Sequence, residues 1–274
     1  MIPPAFEYAA AESAGHALDL LADYGEDAKL LAGGHSLLPM MKLRLAAPSA
    51  LVDIGRVGEL AGIGSDGDDL VIGAATCHAD VAGSALVRSD APLLAYSAAQ
   101  VGDPQIRHRG TIGGSLAHAD PAADLPMALV ALGGSVEIMG PGGSRVVAAD
   151  DLFTGFFETS LQPGELLSAV RVPSRPGVPW GYQKFVRRAN DWAIVGVAAV
   201  AGRVALANMG PTPVRARAVE QALAAGAGPA EAAARAAEGA EPGEDIHADR
   251  PYRRHLARVL TRRALEQAQA GPAA

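Results

Sequence analysis

Two glycine-rich stretches contain residue types that bind phosphate groups. In the first, Leu30-Leu31-Ala32-Gly33-Gly34-His35-Ser36-Leu37, a predicted strand runs into two glycines and a helix start. Glycines let backbone N–H groups approach an anion without a Cβ in the way. The helix start adds partial positive charge, and Ser36 adds a hydroxyl. This predicts a diphosphate cradle. A plain strand-to-helix turn also explains the pattern, because the Rossmann G-x-G-x-x-G is absent.

The second stretch is Arg109-Gly110-Thr111-Ile112-Gly113-Gly114-Ser115, which also places a glycine pair between hydroxyls. Two such loops, about 80 residues apart, suit an extended diphosphate gripped from two sides. Further on, Asp124 has two interpretations: it accepts hydrogen bonds from a ribityl or ribose hydroxyl, or it caps the helix before Leu125. The Walker A pattern is absent, so hydrolysis of a nucleoside triphosphate has little support.

Hydrophobic periodicity predicts the elements that position these loops. Short strands and helices alternate over the first 55 residues, and the Pro-rich segment 174–179 is the clearest linker. The predicted helices are 12–24, 37–45, 77–84, 92–101, 127–132, 213–225, 229–238 and 250–270. The predicted strands are 29–32, 51–54, 60–63, 70–72, 135–139, 145–147, 166–172, 182–186, 194–201 and 204–208.

Composition excludes several classes of protein. The chain has 274 residues, of which 49% are hydrophobic, so it can bury a core. Its single Cys excludes an internal disulfide, a Cys-based zinc knuckle and an iron–sulfur cluster held by this chain alone. The net charge of −7 disfavours nucleic acid as a partner. We expect no signal peptide, no transmembrane segment and no metal site.

The last predicted helix is an exception to the acidic balance. Six Arg lie between positions 250 and 263, and Glu266 is the only acidic residue of this predicted helix. This pattern is typical of a solvated basic face, and it also fits a docking face for an acidic partner surface.

Taken together, the two loops resemble the flavin-binding signatures of the medium, FAD-binding subunit of molybdenum hydroxylases, a group that includes the aerobic carbon monoxide dehydrogenases. The first signature continues through Pro39, Met41, Lys42, Arg44 and Leu45, and the second is trailed by Asp120-Pro121-Ala122, Asp124 and Pro126. Similar segments also open and close the chain, so the resemblance spans nearly all of it.

The resemblance implies an α+β fold: a two-subdomain FAD-binding fold of the PCMH type and a C-terminal α/β domain with a small antiparallel sheet and helices. The implied domains are 1–57, 58–176 and 177–274. Loops 32–36 and 111–115 would hold the FAD diphosphate, mainly through backbone N–H groups, and the segment 184–193, which contains Trp192, would reach toward the isoalloxazine ring. The implied cofactor-binding residues are Ala32, Gly33, Gly34, His35, Ser36, Leu37, Val101, Thr111, Ile112, Gly113, Gly114, Ser115, Asp120, Asp124, Leu167, Lys184 and Trp192. No catalytic side chain is implied.

The implied function is electron transfer through FAD. Electrons would come from the 2Fe-2S clusters of a small subunit, next to a large molybdopterin subunit, and leave to an external acceptor. A cytoplasmic dimer of heterotrimers, associated through the complex with the inner face of the membrane, is expected. Carbon monoxide is the first substrate expected. The alternatives are an N-heterocycle or aldehyde dehydrogenase complex, a free-standing FAD oxidoreductase, and a non-enzymatic binding module that uses the glycine loops only as turns.

Overall fold

The first three strands form a small parallel sheet covered by one helix. In the computed structural model, which describes residues 2–271, these elements are β1 (Glu7–Ala10), α1 (Ala14–Tyr24), β2 (Lys29–Leu31), α2 (Leu37–Lys42) and β3 (Ala50–Asp53). Their strand order is β1-β3-β2. Helix α1 begins where the Ser13 hydroxyl accepts the His16 N–H, and it ends at Gly25 with φ +78°. Together, β2 and α2 position the first glycine loop.

The middle of the chain forms an antiparallel sheet with several short helices. The elements are a 3-10 turn (Gly58–Leu60), β4 (Ile63–Asp66), β5 (Asp69–Gly73), α3 (His78–Gly83), α4 (Ala85–Asp90), α5 (Pro92–Ala99), α6 (Pro104–Arg107), α7 (Ile112–His118), α8 (Asp124–Leu132), β6 (Ser135–Gly140), β7 (Gly143–Ala148), α9 (Ala149–Leu152), β8 (Phe153–Gly155), β9 (Glu158–Thr159) and β10 (Leu166–Pro173). The sheet order is β4-β5-β10-β6-β7, and β8 and β9 form a separate two-stranded sheet. Helix α7 carries the second glycine loop at its N-terminus.

The strand predicted over 60–63 is wrong. Residues 58–60 form the 3-10 turn, and the strand begins at Ile63. The hairpin pairs Ile63 with Ile72 and Asp66 with Asp69, so only residues 67–68 lie in the turn. Gly67 has φ +59°, so residues 67–68 suffice for the turn of this hairpin.

A second antiparallel sheet and three helices complete the chain. They are β11 (Trp180–Phe185), β12 (Val195–Val200), β13 (Arg203–Ala207), β14 (Val214–Arg215), α10 (Arg217–Ala224), α11 (Pro229–Ala233) and α12 (Arg250–Ala270). The helix predicted over 213–225 starts late, because Val214 and Arg215 pair with β13 as a short edge strand. The helix predicted over 229–238 ends at Ala233.

Strand β12 is buried on both faces, which explains its uninterrupted apolar sequence. Val195, Val197 and Ala199 pack against α10, α11 and α12. Ala198 and Val200 belong instead to the core shared with α8 and the middle sheet. Helix α8 therefore lies between two sheets, with its first residue, Asp124, held against the C-terminal sheet.

Helix α12 is anchored by one of its six arginines. Arg253 is buried, and its guanidinium donates to the carbonyl of Ile194 and to the Asp245 carboxylate (2.6 Å). The basic face of this helix consists of the exposed residues Arg250, Arg254, Arg258, Arg262 and Arg263. Arg253 is not part of it, because it ties the helix to the end of the segment between β11 and β12.

Candidate functional site

The first glycine loop, residues 32–37, lines a cleft of the protein. Gly34 has φ +73°, a conformation that favours glycine. Gly33 lies so close to the second loop that a Cβ would overlap the carbonyl oxygen of Arg109. Within the described chain, the backbone N–H groups of residues 33–36 donate no hydrogen bond. Neighbouring unpaired N–H groups on one loop are suited to binding an anion.

The second glycine loop is built differently. Thr111 caps α7, since its hydroxyl accepts the Gly114 N–H (3.1 Å). The N–H groups of Ile112 and Gly113 donate to the carbonyls of Thr76 (3.0 Å) and Ala74 (2.9 Å). Because these two N–H groups already bond to the protein backbone, the loop presents mainly its hydroxyls and its second glycine, Gly114, to the cleft.

The two loops line a single cleft of about 680 Å³. All the predicted cofactor-binding residues line it except two. Those that do are Ala32, Gly33, Gly34, His35, Ser36, Leu37, Val101, Thr111, Gly113, Gly114, Ser115, Asp120, Asp124, Leu167 and Trp192. The fold thus brings together residues from positions 32 to 192.

The two exceptions are Ile112 and Lys184. The Ile112 side chain is 1% exposed and lies in the core. Lys184 lies behind the cleft on β11, where its Nζ donates to Asp124 (2.9 Å) and to the carbonyl of Gln100 (3.1 Å). Lys184 therefore supports the cleft through Asp124 rather than by lining it.

Asp124 is a buried carboxylate with two donors from the C-terminal sheet. Its Oδ1 accepts the Tyr182 hydroxyl, and its Oδ2 accepts Lys184 Nζ. Burial raises the pKa of Asp124, and the Lys184 charge opposes that rise. Burial and the nearby carboxylate raise the pKa of Tyr182 well above its usual value. A carboxylate offers about four acceptor positions, so Asp124 can still accept a ligand hydroxyl.

The mouth of the cleft carries aromatic and ionisable groups. Trp192 is 54% exposed and follows β11 in the segment 186–194. The His118 ring contacts the Phe157 ring in a tilted arrangement, with centroids 4.9 Å apart, and burial lowers the pKa of His118. Asp120 accepts the Ala122 N–H (2.8 Å), and burial raises its pKa.

Several residues line the cleft without having been predicted from the sequence, among them His78, Ile106, Gly110 and His118. His78 is 4% exposed, and burial lowers its pKa to about 4. The sequence gives little indication that His78 belongs to the site, because His78 has no metal-ligand spacing and lies more than 30 residues from either loop. Only the packing of α3 under Gly110 brings it to the site.

Two features are absent from residues 2–271. No group of three or more His, Cys, Asp and Glu side chains there is placed to share a metal ion. No helix in that range is both long and apolar enough to cross a membrane.

A cleft lined by two glycine loops suits a flavin dinucleotide, and two known families of flavoprotein domains match this chain. The FAD-binding domain of molybdopterin dehydrogenases matches residues 4–175, and the CO dehydrogenase flavoprotein C-terminal domain matches residues 180–268. The chain therefore belongs to the family of FAD-binding subunits of molybdopterin dehydrogenases. The predicted family, α+β fold and FAD cofactor are confirmed.

Individual relatives are similar over almost the whole chain. The carbon monoxide dehydrogenase medium chain of Hydrogenophaga pseudoflava is 44% identical, covering 98% of this chain and 99% of the relative. The solved carbon monoxide dehydrogenase from that organism superposes with a TM-score of 0.94. The 6-hydroxypseudooxynicotine dehydrogenase complex subunit alpha of Paenarthrobacter nicotinovorans is 40% identical, covering 98% of this chain and 96% of the relative. Quinoline 2-oxidoreductase from Pseudomonas putida 86 has a TM-score of 0.92 at 36% identity, covering 98% and 99% of the two chains.

Proposed function

We propose that this chain is the FAD-carrying electron-transfer subunit of a molybdenum hydroxylase. One observation carries the proposal: both glycine loops, α8 and Trp192 line one cleft. In that cleft, the N–H groups of residues 33–36 donate to none of the residues 2–271. This arrangement fits a long ligand with a diphosphate at its middle. Bound FAD would supply the redox chemistry, because its isoalloxazine ring takes up and releases electrons.

The residues of the chain bind and orient the cofactor. The N–H groups of residues 33–36 and the hydroxyls of Ser36, Thr111 and Ser115 would hold the diphosphate. Asp124, fixed by Tyr182 and Lys184, would accept a ribityl hydroxyl. Val101, Leu167 and Trp192 would supply apolar contacts, with Trp192 over one face of the ring. The proposal assigns no role as nucleophile or metal ligand to any side chain of residues 2–271.

The partners follow from the relatives and from the single Cys. The relatives are named as medium chains or subunits of complexes. We propose a large molybdopterin subunit and a small subunit with 2Fe-2S clusters, because this chain cannot ligate a cluster by itself. A dimer of heterotrimers, an external electron acceptor, a cytoplasmic location with association at the inner membrane face, and domains 1–57, 58–176 and 177–274 belong to the same proposal.

Carbon monoxide is the substrate we propose for the whole complex, since a carbon monoxide dehydrogenase medium chain is 44% identical to this chain. The 40% identity to a subunit of a dehydrogenase complex for 6-hydroxypseudooxynicotine favours an N-heterocycle-type substrate as the second candidate. The substrate would be chosen on another subunit. Purifying the complex from its native source and assaying both substrate classes distinguishes the two candidates.

The isolated full-length chain tests the electron-transfer role. We expect it to bind one FAD and to leave that FAD oxidised when substrates are added without partner subunits. A chain that takes up no FAD would contradict the proposal and support the non-enzymatic binding module. Substrate-dependent bleaching of the flavin in the isolated chain would instead show a free-standing oxidoreductase.

FAD binding is expected to quench the fluorescence of Trp192. The chain has two tryptophans; Trp192 lines the cleft, whereas Trp180 packs against Tyr96 with ring centroids 5.1 Å apart. A flavin ring next to Trp192 accepts its excitation, so most of the quenching should disappear in Trp192→Phe and remain in Trp180→Phe. The measurement is a fluorescence titration of each variant with FAD. Equal quenching in the two variants would place the ring elsewhere.

A further inference from the structure

His78 lies directly under the point where the two glycine loops meet. Its backbone N–H donates to the carbonyl of Gly110 (2.9 Å), which fixes the start of α3 against the second loop. A Cβ added to Gly110 would lie 2.9 Å from both Cδ2 and Nε2 of the ring. The absence of a side chain at Gly110 therefore lets this edge of the imidazole reach the cleft, which His78 lines although it is 4% exposed.

The polar atoms of His78 are not satisfied within the described chain. Nδ1 is buried and has no hydrogen-bond partner among residues 2–271. Nε2 likewise has no partner among these residues, and it lies at the ring edge beside Gly110. Burial lowers the pKa of the ring to about 4, with the nearby His35 and Arg107 acting in the same direction, so the ring is neutral at pH 7. An orphaned buried N–H is less tolerable than an orphaned buried acceptor, which assigns the proton to Nε2.

We propose that the Nε2–H of His78 donates a hydrogen bond to the diphosphate of bound FAD. This inference rests on the proposed function, which places the diphosphate between loops 32–36 and 111–115. His78 contacts Gly110, and the carbonyl of Arg109 lies against Gly33, so the ring is beside the junction of both loops. A neutral donor in a nearly dry position gives a strong hydrogen bond to a charged oxygen.

Three variants of the full-length chain test this role through the dissociation constant of FAD. His78→Leu removes the donor at similar volume, and we expect it to weaken FAD binding by about tenfold or more, as for a lost hydrogen bond to a charged group. His78→Gln keeps an N–H close to the Nε2 position and should bind FAD nearly as tightly as the unmodified chain. His255→Leu, at an exposed position of α12, is the control and should bind normally.

A spectroscopic readout separates contact with phosphate from a purely structural role. The ³¹P resonances of bound FAD should shift in His78→Leu and return toward their original positions in His78→Gln. If His78→Leu binds FAD normally with unchanged ³¹P resonances, the inference is overturned. If His78→Leu binds FAD weakly but leaves the ³¹P resonances unchanged, His78 has a structural role only and the inference also fails.

The unmodified chain provides a test that needs no folded variant. With ¹⁵N-labelled histidine, addition of FAD should produce a downfield Nε2–H proton coupled to phosphorus. A spectrum without that coupling overturns the inference, while normal FAD uptake leaves the proposed function intact. A chain that takes up no FAD overturns the proposed function, and the role of His78 fails with it.

Discussion

Gly33→Ala is expected to abolish FAD binding. A single methyl group at this position would overlap the backbone carbonyl of Arg109, and it would also meet Gly110 Cα at 2.9 Å. Since both contacts are with backbone, the two loops must move apart, and the N–H groups of residues 33–36 lose their alignment. Overpacking of this kind costs about 1–3 kcal/mol of stability. The measurements are FAD content after purification and urea unfolding.

Gly58→Ala is the matched control. Gly58 lies in the 3-10 turn before β4, its φ is not positive, and a Cβ there would meet nothing within 4 Å. This variant should keep full FAD content. Normal FAD content in Gly33→Ala would show that the loops do not hold the cofactor together.

Replacing a glycine of the second loop is expected to affect the stability of the fold as well as the binding of FAD. From the sequence, valine at Gly33 or at Gly113 is expected to remove the flavin and leave most of the fold. Gly113, however, is buried in α7, where a Cβ would lie 2.5 Å from the Cβ of Ala74. Substitution there should therefore destabilise the packing of α7 against the end of β5 as well as remove the flavin.

Lys184→Met should lower the free energy of unfolding by about 3–5 kcal/mol, because it leaves the buried Asp124 carboxylate without its counter-charge. The side chains of Lys184 and Asp124 are only 8% and 3% exposed, so water cannot replace the ion pair. FAD affinity should fall as well, since Asp124 lines the cleft. Urea unfolding and FAD titration measure the two effects.

The control for this prediction is the exposed pair Arg235–Glu238, whose side chains are 41% and 53% exposed. Arg235→Met should leave the free energy of unfolding almost unchanged, because solvent screens this exposed pair. In addition, the double variant Lys184→Met/Asp124→Leu should be more stable than Lys184→Met alone, since no unpaired charge remains. If Lys184→Met costs no more than Arg235→Met, the buried pair does not stabilise the chain.

The parts of the site that could be predicted are those encoded by contiguous residues. Each glycine loop is a run of five to eight residues whose backbone requirements show in the sequence itself. His78 and the link from Asp124 to Tyr182 could not be found in this way, because they depend on contacts across about 30 to 60 residues. The same limit explains the error at Val214, where pairing with β13 overrides the helical tendency of the following residues.

The contact between Asp124 and the pair Tyr182 and Lys184 has an evolutionary consequence. Asp124 lies in the segment matched by one family model, and Tyr182 and Lys184 lie in the segment matched by the other. Recombination at the linker therefore cannot exchange the two halves freely. If the C-terminal half came from a relative without the matching lysine and tyrosine, the Asp124 carboxylate would be buried without its two partners. Chimeras between relatives should therefore fold only when all three residues are inherited together.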